Sequence, residues 1–170
     1  MKHIFYAALL VLLSAPALRA QSDKDLKELA EITRGVYEAV SFENADAQSL
    51  EQLHRYLLPK ALLINNNGPH HQLLNVDAFI FEVKAQIMDG TLSSFHEVEL
   101  KHETEIFGNV AHRFSTYQAE ITTGGNTYKI MGINSIQFIK TMEGWKVSSI
   151  AWNDEDDTLK IPAQYLPEEK

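Results

Sequence analysis

Between Phe95 and Asn153 the apolar residues recur at every second position, in four runs separated by Gly108-Asn109, Gly124-Gly125 and Glu143-Gly144. Period two is the spacing of a strand with one buried face, and compact glycine-containing turns close hairpins. The pattern predicts a four-stranded meander over Phe95–Phe107, Val110–Thr122, Thr127–Ile139 and Trp145–Asn153. Upstream the period is helical. Ser22 caps a first helix with Leu26, Leu29, Ile32, Val36 and Val40 on one stripe, and Asn44 or Asp46 starts a second with Leu50, Leu53, Leu57 and Leu58, stopped by Pro59. Ala61 to Ile64 reads as a short strand before the turn-rich Asn65-Asn66-Asn67-Gly68-Pro69. Asn75 caps a third helix that turns Phe79, Ile80, Val83 and Ile87 inward and ends at Gly90. Helices followed by a meander make an α+β domain, with the helices covering one face of an antiparallel sheet.

The turns also set a register. With Gly108-Asn109 as a two-residue turn, His102 faces Ser115, Leu100 faces Tyr117 and Val98 faces Ala119. With Gly124-Gly125 likewise, Ser115 faces Asn134, Tyr117 faces Gly132 and Ala119 faces Ile130. One face then collects Val98, Leu100, Ile106, Ala119, Ile121, Ile130, Ile136 and Phe138. The other collects Glu97, Glu99, Lys101, Glu103, Glu105 and Gln118, so the first is the expected helix-covered face. Across it runs a polar row, His102, Ser115 and Asn134 with Tyr117 beside it, flanked by Thr104 and Arg113, and by Asn153 next to Gly132. Buried polar groups need partners, so the row is either a ligand pocket or a satisfied internal network built on a core histidine. Tyr37 and His54, at the edges of helix stripes, are further pocket candidates.

The N-terminus reads as a secretory signal: Lys2 and His3, the apolar run Ile4 to Leu13, then small residues to a cleavage point after Ala20 or Ala17. The run is too short to span a bilayer, and Pro16 and Arg19 argue against a buried helix. The expected division is a signal at 1–20, one domain at 21–155 and an acidic tail at 156–170. Loss of Lys2 and Arg19 reduces the 15 basic residues to 13 against 23 acidic ones, taking the net charge from −8 to −10. That balance disfavours nucleic acid and anionic membranes as partners. With no cysteine, disulfides and thiolate metal sites are excluded. Cysteine-free export without an Asn-x-Ser/Thr acceptor fits a bacterial periplasm or culture fluid. His70-His71 lacks a third ligand at useful spacing, so neither a metal nor any other cofactor is expected.

The stretch Gly132-Ile133-Asn134-Ser135-Ile136-Gln137-Phe138, with Gly144-Trp145-Lys146-Val147 and Ile150-Ala151-Trp152-Asn153-Asp154-Glu155, resembles exported bacterial members of the nuclear transport factor 2-like (SnoaL-like) superfamily. The resemblance covers roughly Leu26 to Glu155. It implies a conical half-barrel whose interior can hold an apolar small molecule, in a superfamily containing isomerases, dehydratases and epoxide hydrolases beside binding and scaffold domains. Fold alone does not choose among them. The isomerase type needs an acidic base in the cavity, and on this register the strand carboxylates all point outward. The epoxide-hydrolase type needs acidic partners for Arg113, and none falls beside it. His102 with Tyr117 is left as the only acid–base candidate. The sequence therefore predicts an exported binder of a small hydrophobic molecule, or an accessory domain. The alternatives are a lyase or isomerase with His102 as base, and an interaction scaffold with a filled interior.

With Thr141 to Gly144 as the third turn, Val147, Ser149 and Ala151 join the covered face, while Ile150 and Trp152 point outward beside Phe114, Met131 and Ile133. Such an exposed apolar cluster predicts a homodimer through the outer sheet face. The alternative cover is the chain's own tail, through Ile161, Tyr165 and Leu166.

Overall fold

The computed structural model describes the backbone from position 15 to 168 and the side chains from position 23. The expected signal peptide lies outside these residues as far as position 14. From Ala15 the chain is already helical, and no described helix is long and apolar enough to cross a membrane.

Helix α1 (Ala15–Val40) is followed by a 3-10 turn (Gln48–Gln52), the single-turn helix α2 (Leu53–Tyr56) and strands β1 (Leu57–Asn65) and β2 (Gln72–Leu74). Helix α3 (Val76–Met88) then leads into β3 (Leu92–Phe107), β4 (Val110–Thr123), β5 (Asn126–Thr141) and β6 (Gly144–Asp154). The six strands form one sheet in the order β2-β1-β6-β5-β4-β3. The expected meander is present, but β1 lies parallel to β6, so the sheet is not wholly antiparallel. The second expected helix is present only as the 3-10 turn and the single α turn over Gln48–Tyr56, and it ends before Leu57. Leu57 and Leu58 belong to β1, because tertiary pairing with β6 overrides their helical spacing.

Helix α1 crosses the inner sheet face with Leu29, Ile32, Val36, Tyr37 and Ala39 buried. Its start is not at Ser22, and Leu26 lies off the stripe; the buried polar position one residue earlier is Asp25. Asp25 accepts from Lys140 Nζ at 2.7 Å and from Trp145 Nε1 at 3.2 Å, locking the helix to the last hairpin. At the other end Phe42 exchanges backbone hydrogen bonds with Phe95, and Ser41 Oγ accepts from the Glu97 N–H at 3.0 Å. Helix α3 begins as its sequence dictates: the Asn75 side chain accepts from Ala78 N at 2.8 Å. Its inner residues Ile80, Phe79, Val83 and Ile87 close over the same core.

The β4–β5 register is the expected one along its whole length. The β3–β4 register matches from Phe107 to Lys101, then shifts between Lys101 and Glu99. Beyond the shift Glu99 faces Tyr117 and Glu97 faces Ala119, in place of Leu100 and Val98. A second shift interrupts β5–β6 between Phe138–Val147 and Gln137–Ser149. Beyond it Ile136 faces Ile150, Asn134 faces Trp152 and Gly132 faces Asp154, where Asn153 was expected. Each bulge adds one residue to one strand, and one residue is enough to exchange the two faces. Glu97, Glu99, Ile150, Trp152 and Asp154 therefore turn inward, and Val98, Ser149 and Ala151 do not. That corrects the expected face of every one of these residues except Asp154, for which no face was assigned.

Part of the outer face is covered by the chain's own tail. Thr116 Oγ1 donates to Tyr165 O at 2.7 Å, Lys101 Nζ donates to Leu166 O at 3.0 Å, and the Tyr165 ring packs edge-on against Phe114 at 4.9 Å. Two of the five residues assigned to a dimer interface, Ile150 and Trp152, face the interior instead, and Met131 O is taken by the Glu155 N–H.

Candidate functional site

Between the sheet and the helices lies a cavity of about 300 Å³. Its walls are mainly apolar, with Val36, Phe42, Leu53, Phe79, Ile121 and Trp152 prominent, and Trp152 meets Phe79 edge-on at 6.3 Å. Five polar side chains reach it from five elements: Tyr37 from α1, Glu97 from β3, Tyr117 from β4, Asn134 from β5 and Asp154 from β6. Asn65, Asn67 and Gln86 complete its polar lining.

The five form two groups. In the first, Asn134 Nδ2 donates to Glu97 Oε1 and to Tyr37 Oη, both at 3.0 Å. In the second, Tyr117 Oη donates to Asp154 Oδ1 in a short hydrogen bond, and the Asp154 N–H donates to Asn67 Oδ1 at 2.7 Å. Tyr117 reaches Asp154 across Gly132, whose missing Cβ leaves room for the phenol; a methyl group there would collide with it. Burial drives the Glu97 carboxyl up to about 7, against the donor of Asn134 and with a smaller push from the charge of Asp154. Burial likewise raises both tyrosines, helped at Tyr117 by its hydrogen bond to Asp154.

Behind the cavity wall a third cluster anchors the first. Arg113, 2% exposed, grips Glu99 through Nε at 2.8 Å and Nη2 at 2.5 Å, and donates to Thr104 Oγ1 at 2.9 Å. Ser115 Oγ donates to Glu99 Oε1 at 2.5 Å and lies 2.7 Å from Tyr37 Oη. Burial alone would raise the Glu99 carboxyl, but the bonds from Arg113 and Ser115 and the guanidinium charge outweigh it and hold it below the ordinary range.

No family model and no curated protein matches this chain. Solved structures do. A nuclear transport factor 2-like protein with a cystatin-like fold from Novosphingobium aromaticivorans matches with a TM-score of 0.65 at 16% identity, over 90% of this chain and 94% of that one. The Kfla4162 protein from Kribbella flavida matches at 0.64 and 17%, over 81% and 97%. A nuclear transport factor 2-like superfamily protein from Salmonella enterica serovar Typhimurium gives 0.64 and 17%, over 81% and 95%. The chain has the nuclear transport factor 2-like fold.

Within this nuclear transport factor 2-like cone, Tyr37, Tyr117 and Asn134 line the cavity, and Arg113 and Ser115 stand one layer behind. His102, Asn153 and His54 do not line it. His102 keeps 45% of its side chain exposed, with Nδ1 3.2 Å from Glu99 Oε2, and burial leads the causes that lower its proton affinity. His54 sits outside between Glu51 and Asp77, and Asn153 donates to the carbonyl of Asp154. The expected core-histidine network therefore has His102 only at its edge, against Glu99: Tyr37 joins Ser115 to Asn134, with Glu99 on Ser115 and Glu97 on Asn134. Glu97, Glu99 and Asp154 were missed because a strict alternation places the first two in solvent. Asp154 lies at the start of a charge run that reads as a solvated tail.

The two glutamates give opposite pH dependences. Glu97 binds its proton more tightly folded than unfolded, so its contribution is complete below its ordinary value of 4.5 and is lost as pH rises through about 7. The loss is on the order of 3 kcal/mol at most. Glu99 works in reverse: its contribution is present above the ordinary value and is lost as pH falls. Wild-type protein is expected to melt several degrees lower at pH 8 than at pH 5.5, with the slope largely removed in Glu97→Gln. Melting curves between those two values check this, and equal slopes in the two proteins would contradict it.

Proposed function

We propose that the protein binds a small, mainly apolar molecule inside the cone and, without a cofactor, moves a proton on it, as an isomerase or lyase. The observation that carries this reading is a carboxyl group, Glu97, set inside an apolar cavity and held by one oriented amide. A carboxyl poised near neutrality both accepts and returns a proton at working pH, which general acid–base catalysis needs. Tyr117 with Asp154 forms a second polar pole in the cavity; with the Tyr117 proton committed to Asp154 it offers acceptors, suited to orienting a hydroxyl on the substrate. One solved structure of the same fold, from Streptomyces avermitilis, carries a provisional name as a dehydratase, matching with a TM-score of 0.59 at 15% identity over 76% of this chain and 96% of that one. Glu97 replaces His102 as the base in this reading, since His102 stands outside the cavity. The signal-like Met1 to Ala20 supports an exported protein acting in the periplasm or outside the cell.

The second reading is a carrier that binds without chemistry, favoured by the predominantly apolar wall. One experiment separates the two. Native mass spectrometry of protein purified from its own organism identifies a retained ligand, which is then incubated with enzyme in D2O. Wild type is expected to exchange a C–H position or convert the ligand. Glu97→Gln should do so about 10²–10⁴-fold more slowly while retaining the ligand. A retained ligand that is neither exchanged nor converted by wild type identifies the carrier.

A further inference from the structure

We propose that Glu99, clamped by Arg113, is a positioning residue: it sets the direction of a hydrogen-bond chain that forces the Asn134 amide to present its NH2 group to Glu97. The argument is proton counting along one chain of contacts. Glu99 receives Arg113 Nε and Ser115 Oγ on Oε1 and Arg113 Nη2 on Oε2, so it acts only as an acceptor. The single proton of Ser115 is committed to Glu99. Ser115 Oγ can then only accept at its 2.7 Å contact with Tyr37, so the Tyr37 proton points to Ser115. Tyr37 Oη is left as an acceptor, and only the amide nitrogen of Asn134 satisfies it, at 3.0 Å. The same nitrogen, 3.0 Å away, meets Glu97 Oε1. A flipped amide would set its oxygen against a lone pair of Tyr37 and against the carboxylate. One anion behind the wall thus determines that Glu97 meets a donor in the cavity.

The arrangement spans four elements and leaves no step free. Among the described residues no buried side-chain nitrogen or oxygen lacks a partner, so no spare donor stands ready to substitute. The groups facing Glu97 are Tyr37 on α1, Ser41 through the Glu97 N–H, Tyr117 on β4, Asn134 on β5 and Asp154 on β6, with no lysine or arginine among them. The proposal concerns the ligand-free protein and stands whether or not Glu97 acts on a substrate.

The test has a sign that electrostatics alone cannot imitate. Removing the Glu99 charge while Arg113 stays would, through space, make Glu97 easier to ionise. Losing the directed chain frees Asn134 to turn and takes away the donor, which makes Glu97 harder to ionise. Carbon-detected NMR titration of the Glu97 carboxyl in ligand-free wild type, Glu99→Gln and Ser115→Ala reads this directly. Ser115→Ala cuts the chain, keeps the Glu99–Arg113 pair and changes little volume, so it guards against a misfolded Glu99 variant. Both variants are expected to move the midpoint upward, by about half a pH unit to one unit. A downward shift in Glu99→Gln, or an unmoved midpoint in Ser115→Ala, overturns the proposal.

Discussion

Arg113→Ala is expected to destabilise the protein by about 3 kcal/mol or more, seen as a lower urea midpoint at an unchanged slope. The guanidinium is almost wholly buried and makes two parallel bonds to Glu99 and a third to Thr104. Truncation leaves Glu99, whose side chain is only 20% exposed, without its buried counter-charge and with only the half-exposed His102 beside it. Breaking one partner of such a pair costs far more than the pair itself contributes, because the remaining charge stays desolvated. The double variant Arg113→Met with Glu99→Leu should therefore recover most of the loss. Arg113→Lys should not, since an ammonium cannot reproduce the two-pronged contact. A single-variant loss below about 1 kcal/mol would mean that the pair behaves as a solvated surface contact.

Trp145→Ala should be as damaging, at about 3–5 kcal/mol. The indole is 2% exposed and belongs to the core that joins the sheet to α1. It also carries polar work: Nε1 donates to Asp25 Oδ1 at 3.2 Å, the backbone N–H donates to Glu28 Oε1 at 2.9 Å, and Lys140 Nζ lies 5.4 Å from the ring centre. Removing it opens a cavity and takes one donor from a buried carboxylate. A domain of this size gives up roughly 2–4 °C of melting temperature per kcal/mol, so a fall of about 10 °C is expected by calorimetry. Trp145→Phe keeps most of the volume and separates the two contributions. If it melts like Trp145→Ala, the hydrogen bond to Asp25 dominates over packing.

Much of the sheet was legible because its turns are written locally. Gly108-Asn109 and Gly124-Gly125 place their hairpins without help from the rest of the chain, with Gly108, Gly124 and Gly125 at positive φ as such turns require. The β4–β5 register followed along its full length. Asn75 announced its helix just as locally. What misled was the assumption of unbroken alternation. It left Ile150 and Trp152 on the outside, where they suggested a dimer face. Their inward position comes from the register shift in β5–β6, and those two outward apolar side chains were the available signal.

The sequence alone therefore determined the class, the meander, the turns, and the meeting of Ser115, Tyr117 and Asn134 on one face, because each rests on neighbours in the chain or across one tight turn. Tertiary structure decided which carboxylates enter the cone. A bulge has no fixed local code; it forms where the extra twist lets two strands wrap around what fills the interior. Here that filling is α1, stitched to β3 through Phe42 and Ser41 and carrying Tyr37 into the gap. A single inserted residue at each bulge moved Glu97, Glu99 and Asp154 to the face that holds the cavity, and the choice depended on contacts 37 to 97 residues apart in the chain.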